Sequence, residues 1–187
     1  MVASLTELAN LALSNVTNER LGDIQETSVL AETVRVNLPT ARDTTLEAHP
    51  WNVAMRRAQL PSQGKPSFGY ANSYALPTDP YCLRVRDVSA GGHHWTVEGR
   101  TLLSDAGAPL PIVYTARIED PTHWPPLLVE AVALRLAIML TIPLTQTTSL
   151  RSELQATFGA ILRNAKAVEG LEGLPQEIPT DYLRGRV

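Results

Sequence analysis

A single cysteine, Cys82, occurs among the 187 residues. One thiol cannot close an intramolecular disulfide, so the fold does not depend on an oxidising compartment, and synthesis in a reducing cytoplasm fits. A basic footprint is missing as well. The formal net charge is −3, the isoelectric point is near 5.8, and no stretch clusters Lys and Arg with interleaved aromatics. Sequence-specific nucleic-acid binding is therefore not expected. There is no glycine-rich phosphate loop, no G-x-S-x-G elbow, no H-E-x-x-H and no cysteine pair, so the common nucleotide, serine-hydrolase and zinc signatures do not apply. The N-terminus, Met1-Val2-Ala3-Ser4-Leu5-Thr6-Glu7, has neither the basic region nor the unbroken apolar run of a secretory signal. The longest apolar stretch, Leu127 to Leu144, is interrupted by Glu130 and Arg135 and closed by Pro143, which predicts a buried core helix and no membrane partner.

What remains is the composition of an ordinary globular protein, with 44% hydrophobic and 19% charged residues. A chain of this length can bury about two-thirds of its unfolded surface, so one domain over residues 1–168 is expected, followed by an extended C-terminal tail over 169–187. Ser4 and Glu7 have capping-box spacing, and Leu5, Leu8, Ala9, Ala12 and Val16 repeat at helical intervals, which predicts a first helix over 5–16. A second is expected over 28–48, with Val29, Leu30, Thr33 and Val34 on one side. Pro39 should kink or divide it, and His49-Pro50 should end it, because the residue before proline leaves the helical region.

From Trp51 the period changes to two, with Trp51, Val53 and Met55 alternating against Asn52, Ala54 and Arg56. Residues 61–68 read as a loop. Cys82 to Val88 and Trp95 to Leu102 alternate around Ser89-Ala90-Gly91-Gly92-His93-His94, which predicts a hairpin with His93 and His94 at its tip. Ile112 to Ile118 supplies a further strand. No helix separates these strands, so a parallel, nucleotide-binding sheet is not expected. Helices return over 126–141 and 149–168, the last with Leu150, Leu154, Phe158, Ile161 and Ala165 in one stripe. The expected class is therefore α+β: a predominantly helical bundle of about four helices, with a small antiparallel β-sheet inserted in the middle over 51–118. The tail has too much Gly and Pro for an independent helix or strand, yet it carries Leu171, Leu174, Ile178, Tyr182 and Leu183. Apolar residues spaced along such a segment suggest docking on a neighbour.

Chemistry-bearing residues each have a plainer reading. Adjacent His93 and His94 could bind metal, but neighbours on a strand face opposite ways and no partner ligand lies at a known spacing, so a polar hairpin tip is expected. Cys82, with Asp79, Asp87, His93 and His94 nearby in sequence, has the makings of thiol catalysis, but its strand position among apolar neighbours predicts a buried, inert thiol. Glu98, Asp105, Glu119 and Asp120 lie in strand–turn contexts where solvated carboxylates are common. Trp51, Trp95 and Trp124 sit beside prolines or strand boundaries, where large rings usually close a small core rather than form a stacking platform.

Taken together, the order of His49-Pro50-Trp51-Asn52-Val53-Ala54, sheet, Trp124-Pro125-Pro126-Leu127-Leu128-Val129-Glu130-Ala131 and final helix resembles a phage head-to-tail adaptor of the tail tubular protein A family. Ala41-Arg42-Asp43, Leu76-Pro77, Val97-Glu98-Gly99-Arg100 and Tyr114-Thr115-Ala116-Arg117 are similar too, and the likeness spans about residues 8–166. It departs at Val16-Thr17-Asn18-Glu19-Arg20-Leu21 and at 91–94. The resemblance implies a non-enzymatic structural subunit of a virion, built without a cofactor, in a ring of about twelve copies closed by one heterologous interface. It implies a portal protein on one side, a tail tube or nozzle protein on the other, and genomic DNA passing through the lumen during ejection. The acidic balance suits that passage, because it repels phosphates. Partner contacts are expected from Leu171, Leu174, Ile178, Tyr182, Leu183 and Arg184 in the tail and from Gly92, His93 and His94, and the expected location is the head–tail junction after assembly in the host cytoplasm. Another connector or tail-completion protein is the alternative within the class. A small hydrolase or binding protein using Cys82, His93 or the carboxylates between 98 and 120 is the alternative outside it.

Overall fold

The computed structural model describes residues 4–89 and 91–169. Four helices form one layer. In α1 (Leu5–Leu13) the Glu7 N–H donates to Ser4 Oγ at 3.1 Å, the N-cap that the sequence predicts. The helix stops three residues earlier than expected. Ser14 Oγ and Asn15 Nδ2 both donate to the Leu11 carbonyl at 2.8 Å, and side-chain bonds of this kind compete with another helical turn. Asn10 then clamps the following loop, giving Nδ2–H to the Leu21 carbonyl and taking the Leu21 N–H on Oδ1.

α2 (Val29–Ala48) is capped by Ser28, whose Oγ accepts from the Ala31 N–H. Pro39 does not divide it; the helix passes through to the extended His49. Its core face is Ala31, Val34, Leu38, Ala41, Thr45 and Leu46, and Val29 points outward, so the expected face was displaced by part of a turn. α3 (Pro126–Thr145) opens with proline at its first turn, where no N–H is needed. It runs through Pro143, expected to end it, and stops where Gln146 takes a left-handed conformation and donates its N–H to the Ile142 carbonyl. α3 is long and apolar enough to cross a membrane by length and composition, but α1, α2 and α4 (Thr148–Glu169) all pack on it. The stripe on α4 lies as the periodicity predicts, with Leu154, Ile161 and Ala165 buried.

The middle of the chain corrects the expected class. Among the described residues there are seven strands in two antiparallel sheets, not one small sheet within a predominantly helical bundle. These are β1 (Met55–Leu60), β2 (Ser62–Gly64), β3 (Asn72–Ala75), β4 (Cys82–Val88), β5 (Trp95–Glu98), β6 (Thr101–Ser104) and β7 (Leu110–Ala116). One sheet has the order β1-β7-β4 and the other β2-β3-β6-β5. Leu60, Cys82, Leu110, Ile112, Tyr114 and Ala116 from the first enclose a core with Tyr74 and Leu102 from the second. A separate core lies among the helices and takes in Trp51, Ala54 and Trp124.

The expected hairpin between 82–88 and 95–102 is not formed. The run Trp95 to Leu102 is two strands, turned at Gly99 with φ +59°, while β4 pairs with β7. A two-residue Gly-Arg loop with positive φ only at its first position has the shape of a type II′ hairpin turn, and the facing pairs Trp95–Ser104 and Val97–Leu102 put odd positions of β5 on the same face as even positions of β6. Residues 91–94 therefore cross from one sheet to the other rather than tip a hairpin. Asn52–Ala54 form a 3-10 turn and the first strand begins at Met55, and the loop expected over 61–68 contains β2.

Candidate functional site

The helices and the sheets meet along a seam lined by arginines. On α2, Asp43 is held from two sides. Arg42 Nε donates to its Oδ1 at 2.8 Å, and Arg117, just after β7, donates to Oδ2 from Nε at 3.0 Å and from Nη2 at 2.7 Å. Arg42 also reaches Glu119 at 3.3 Å. The guanidinium of Arg117 lies 4.4 Å from the ring centre of Tyr81, and that of Arg100 lies 4.1 Å from it, so two cations share one aromatic ring. Arg100 projects from the β5–β6 turn and donates to the carbonyls of Cys82, Pro77 and Leu76. The Leu76 N–H returns a bond to the Arg100 carbonyl, and the Arg117 N–H bonds the Tyr81 carbonyl at 2.8 Å.

A fourth arginine closes the end of α2. The register of β4 against β7 shifts between Val85 and Asp87, and a bulge there re-aims a side chain. Arg86 Nε donates to Thr115 Oγ1 at 2.7 Å, and its Nη2 reaches the carbonyls of Leu46, Glu47 and His49 at 3.2, 2.9 and 3.2 Å. These are carbonyls that a helix C-terminus leaves without partners, and the helix dipole favours a cation there. Burial, and then the charge of Arg84, hold the Arg86 guanidinium below its ordinary value, while Glu47 acts in the opposite direction. Beside it, Trp51 Nε1 donates to the Thr45 carbonyl at 3.0 Å, and the His49 ring meets Trp51 edge-on at 4.9 Å.

The seam brings together residues far apart in sequence. Ala41-Arg42-Asp43, Leu76-Pro77, Glu98-Gly99-Arg100 and Ala116-Arg117 all contribute to it. Sequence reading caught these only as ordered motifs and missed Tyr81 and Arg86, for which no local pattern gives a signal. An adjoining recess of about 340 Å³ is lined by Thr78, Asp79, Pro80, Tyr81, Arg117 and Glu119. Its charges alternate in sign, and Arg117 is already committed to Asp43, so the arrangement serves to hold layers together.

The other candidates are dispersed. Cys82 is 1% exposed, and burial pushes its thiol pKa up, with the Arg100 charge pulling partly back; a thiol so placed stays protonated near neutrality. His93 and His94 are exposed on the crossover between the sheets, and the His94 carbonyl accepts from Ser104 Oγ at 3.1 Å. Among the described residues no group of three or more His, Cys, Asp or Glu could hold a metal ion. The four carboxylates do not meet: Asp105 takes the Ala71 N–H, Glu119 pairs with Arg42, and Glu98 is exposed at the end of β5. Asp120 caps a turn at Thr122, whose hydroxyl and N–H hold its carboxyl below the ordinary range. Trp51 and Trp124 close the helical core, but Trp95 is 39% exposed on the edge strand β5, against the expectation that all three close a core. Leu171, Leu174, Ile178, Tyr182, Leu183 and Arg184 lie outside the described residues. No protein-family model matches the chain, and no curated protein matches it.

Proposed function

We propose that the chain is a structural subunit of the ring-shaped adaptor that joins a phage head portal to its tail, at the head–tail junction of the virion. The observation that carries this reading is the convergence on one seam of four of the short segments whose order and spacing resemble the tail tubular protein A family. Those motifs are distant in sequence, yet their arginines, Asp43 and Leu76-Pro77 form one network. A subunit that bears load between two large assemblies needs its helices and sheets to act as one body, and charge-assisted bonds across a layer boundary supply that.

In this reading about twelve copies close a ring through one heterologous interface. The helical layer provides one side of it. Val29 and Val36, 83% and 70% exposed, stand seven residues apart on the outer face of α2, the spacing of one helix face. The residues from Leu171 to Arg184 engage the portal or the adjacent copy, residues 92–94 meet the tail tube or nozzle, and DNA crosses the lumen without sequence-specific contact. The subunit carries no catalytic role and assembles in the host cytoplasm.

Co-sedimentation with cognate portal rings tests the reading. Expected is co-migration at a fixed ratio near one adaptor ring per portal, with loss of binding when the chain ends at Glu169. Chain that stays monomeric and unbound at every concentration contradicts it.

A further inference from the structure

The edge strand of a sheet leaves a row of backbone groups without partners, a template for another chain that native folds blunt with charge, proline, brevity or a bulge. Among the described residues the two sheets present four edges, and three are blunted. β1 carries exposed Arg56 and Arg57, β2 is three residues long with a break in register, and β4 is broken in register twice. β5 is left open. Its register against β6 runs unbroken through all four pairs, it has no proline, and its only charge is Glu98 beside the turn.

The two-residue turn fixes which groups point outward. In such a hairpin the pair that closes the turn, Glu98 and Thr101, exchanges both of its backbone bonds, and bonded pairs then alternate, so Thr96 and Leu103 are the next. The N–H and C=O of Trp95 and Val97 therefore face away from β6. These are also the residues whose apolar side chains stand 39% and 38% exposed. A strand laid along β5 gains main-chain bonds and apolar cover together.

A second copy of the chain carries the complement. β1 ends at Leu60 and β2 starts at Ser62, so these two edges adjoin, and β2 lies at the far side of its sheet from β5. That flank is basic. Arg56, Arg57 and Lys65 are exposed, and residues 55–65 contain no carboxylate. Pairing β1 with β1 sets arginines against arginines, whereas Glu98 of β5 meets them with opposite charge. Unlike edges on opposite flanks make a heterologous contact, the kind that can close into a ring.

We infer that β5 of one copy adds to the edge of β1 on the next, with Trp95 and Val97 covered in the joint and Glu98 set against Arg56 and Arg57. The inference rests on the adaptor reading, whose ring supplies the neighbouring copy and to whose helical contact this adds a sheet contact.

Sedimentation of the full chain, alone and with cognate portal rings, tests it against variants whose folding is checked by circular dichroism. Val97→Pro removes one outward N–H and leaves the bonds to β6 in place. Val97→Arg leaves the backbone alone and adds a cation that β1 repels. Each should weaken self-association at least about tenfold, and in the unsubstituted chain the Trp95 and Val97 amides should exchange more slowly as concentration rises. Arg57→Glu, which keeps the bonds from Arg56 Nη1 to the Val53 and Met55 carbonyls, should weaken association from the other side. Mixed with Val97→Arg it should give pairs that stop at two, because each chain keeps one working edge. Association of either Val97 variant, or of Arg57→Glu, equal to that of the unsubstituted chain overturns the inference, as does a chain that is monomeric both free and on the portal. Rings formed on the portal by Val97→Pro overturn it while leaving the adaptor reading standing; self-association that needs β5, without any portal binding, does the reverse.

Discussion

A guanidinium withdrawn from water is tolerable only when its donors find acceptors. Arg86 finds four, three of them carbonyls at the end of α2 and the fourth Thr115 Oγ1. Arg86→Met keeps much of the apolar stem but removes every one of these bonds, and should lower the unfolding free energy by about 2–3 kcal/mol. The check is urea unfolding, with the midpoint falling and the slope unchanged. Arg86→Lys should recover only part of the loss, because one ammonium cannot span the spread of acceptors that the planar fork reaches. Asp43 and Arg117 form the other residue-scale link. Both keep some solvent contact, at 20% and 32% side-chain exposure, so screening reduces their value. A double-mutant cycle with Asp43→Asn and Arg117→Met should give a coupling of about 1 kcal/mol. Additive effects would show that the pair does not join the layers.

At the scale of elements, the β5–β6 turn is the sharpest test of local geometry. Gly99 holds φ at +59°, and a Cβ built there meets nothing within 4 Å. The cost of Gly99→Ala is therefore backbone strain alone, about 1 kcal/mol, and Gly99→Val should cost more. Thermal unfolding of the two variants measures it. This turn also shows where sequence reading fails. The facing pair Val97–Leu102 shows the side-chain phase shifting by one residue across the turn, a break that alternation read straight from Trp95 to Leu102 passes over. Pairing partners are equally hidden, because β4 meets β7 across more than twenty residues. The helices were legible because their signals are local: Ser4 and Glu7 at capping-box spacing, and the Leu154–Ile161–Ala165 stripe. Their ends were legible where His49-Pro50 fixes the backbone, and illegible where Ser14 and Asn15 take over a carbonyl. The seam lay in plain view as four short motifs, yet nothing along the chain says that Asp43 and Arg117 touch. The outer face of α2 carries the element-scale prediction for assembly. Val36→Asp should leave the helical circular dichroism unchanged and abolish oligomer formation on the portal.

For the whole molecule, burial sets how stability follows pH. Cys82, Tyr74 and Tyr114 each have a raised pKa, with burial the first cause, and Tyr74 Oη donates to the Ala106 carbonyl at 2.6 Å. For these groups the folded state holds its proton more tightly than the unfolded one. Their contribution is complete below the ordinary values of 9.0 and 10.0 and is lost as pH rises through the folded-state values. Asp120 and Glu26 are lowered by hydrogen bonds, so their contribution is present above ordinary carboxylate values and lost as pH falls. Asp120 is exposed and Glu26 only partly covered, so solvent screens both and the acid limb should be shallow. Stability from urea unfolding should be flat between about pH 5 and 8 and fall above about pH 9. Cys82→Ala should delay the start of that alkaline fall. A steady rise of stability up to pH 10 would show that these groups are not buried in the neutral form.

The adaptor role meets its most direct test in electron microscopy of the full chain mixed with cognate portal rings, with averaging in which no symmetry is imposed. Expected is a second ring of about twelve subunits coaxial with the portal, with α2 at the contact between neighbours and no such ring from the Val36→Asp chain. Portal rings that remain bare at saturating protein, or copies attached singly without closing a ring, would contradict it.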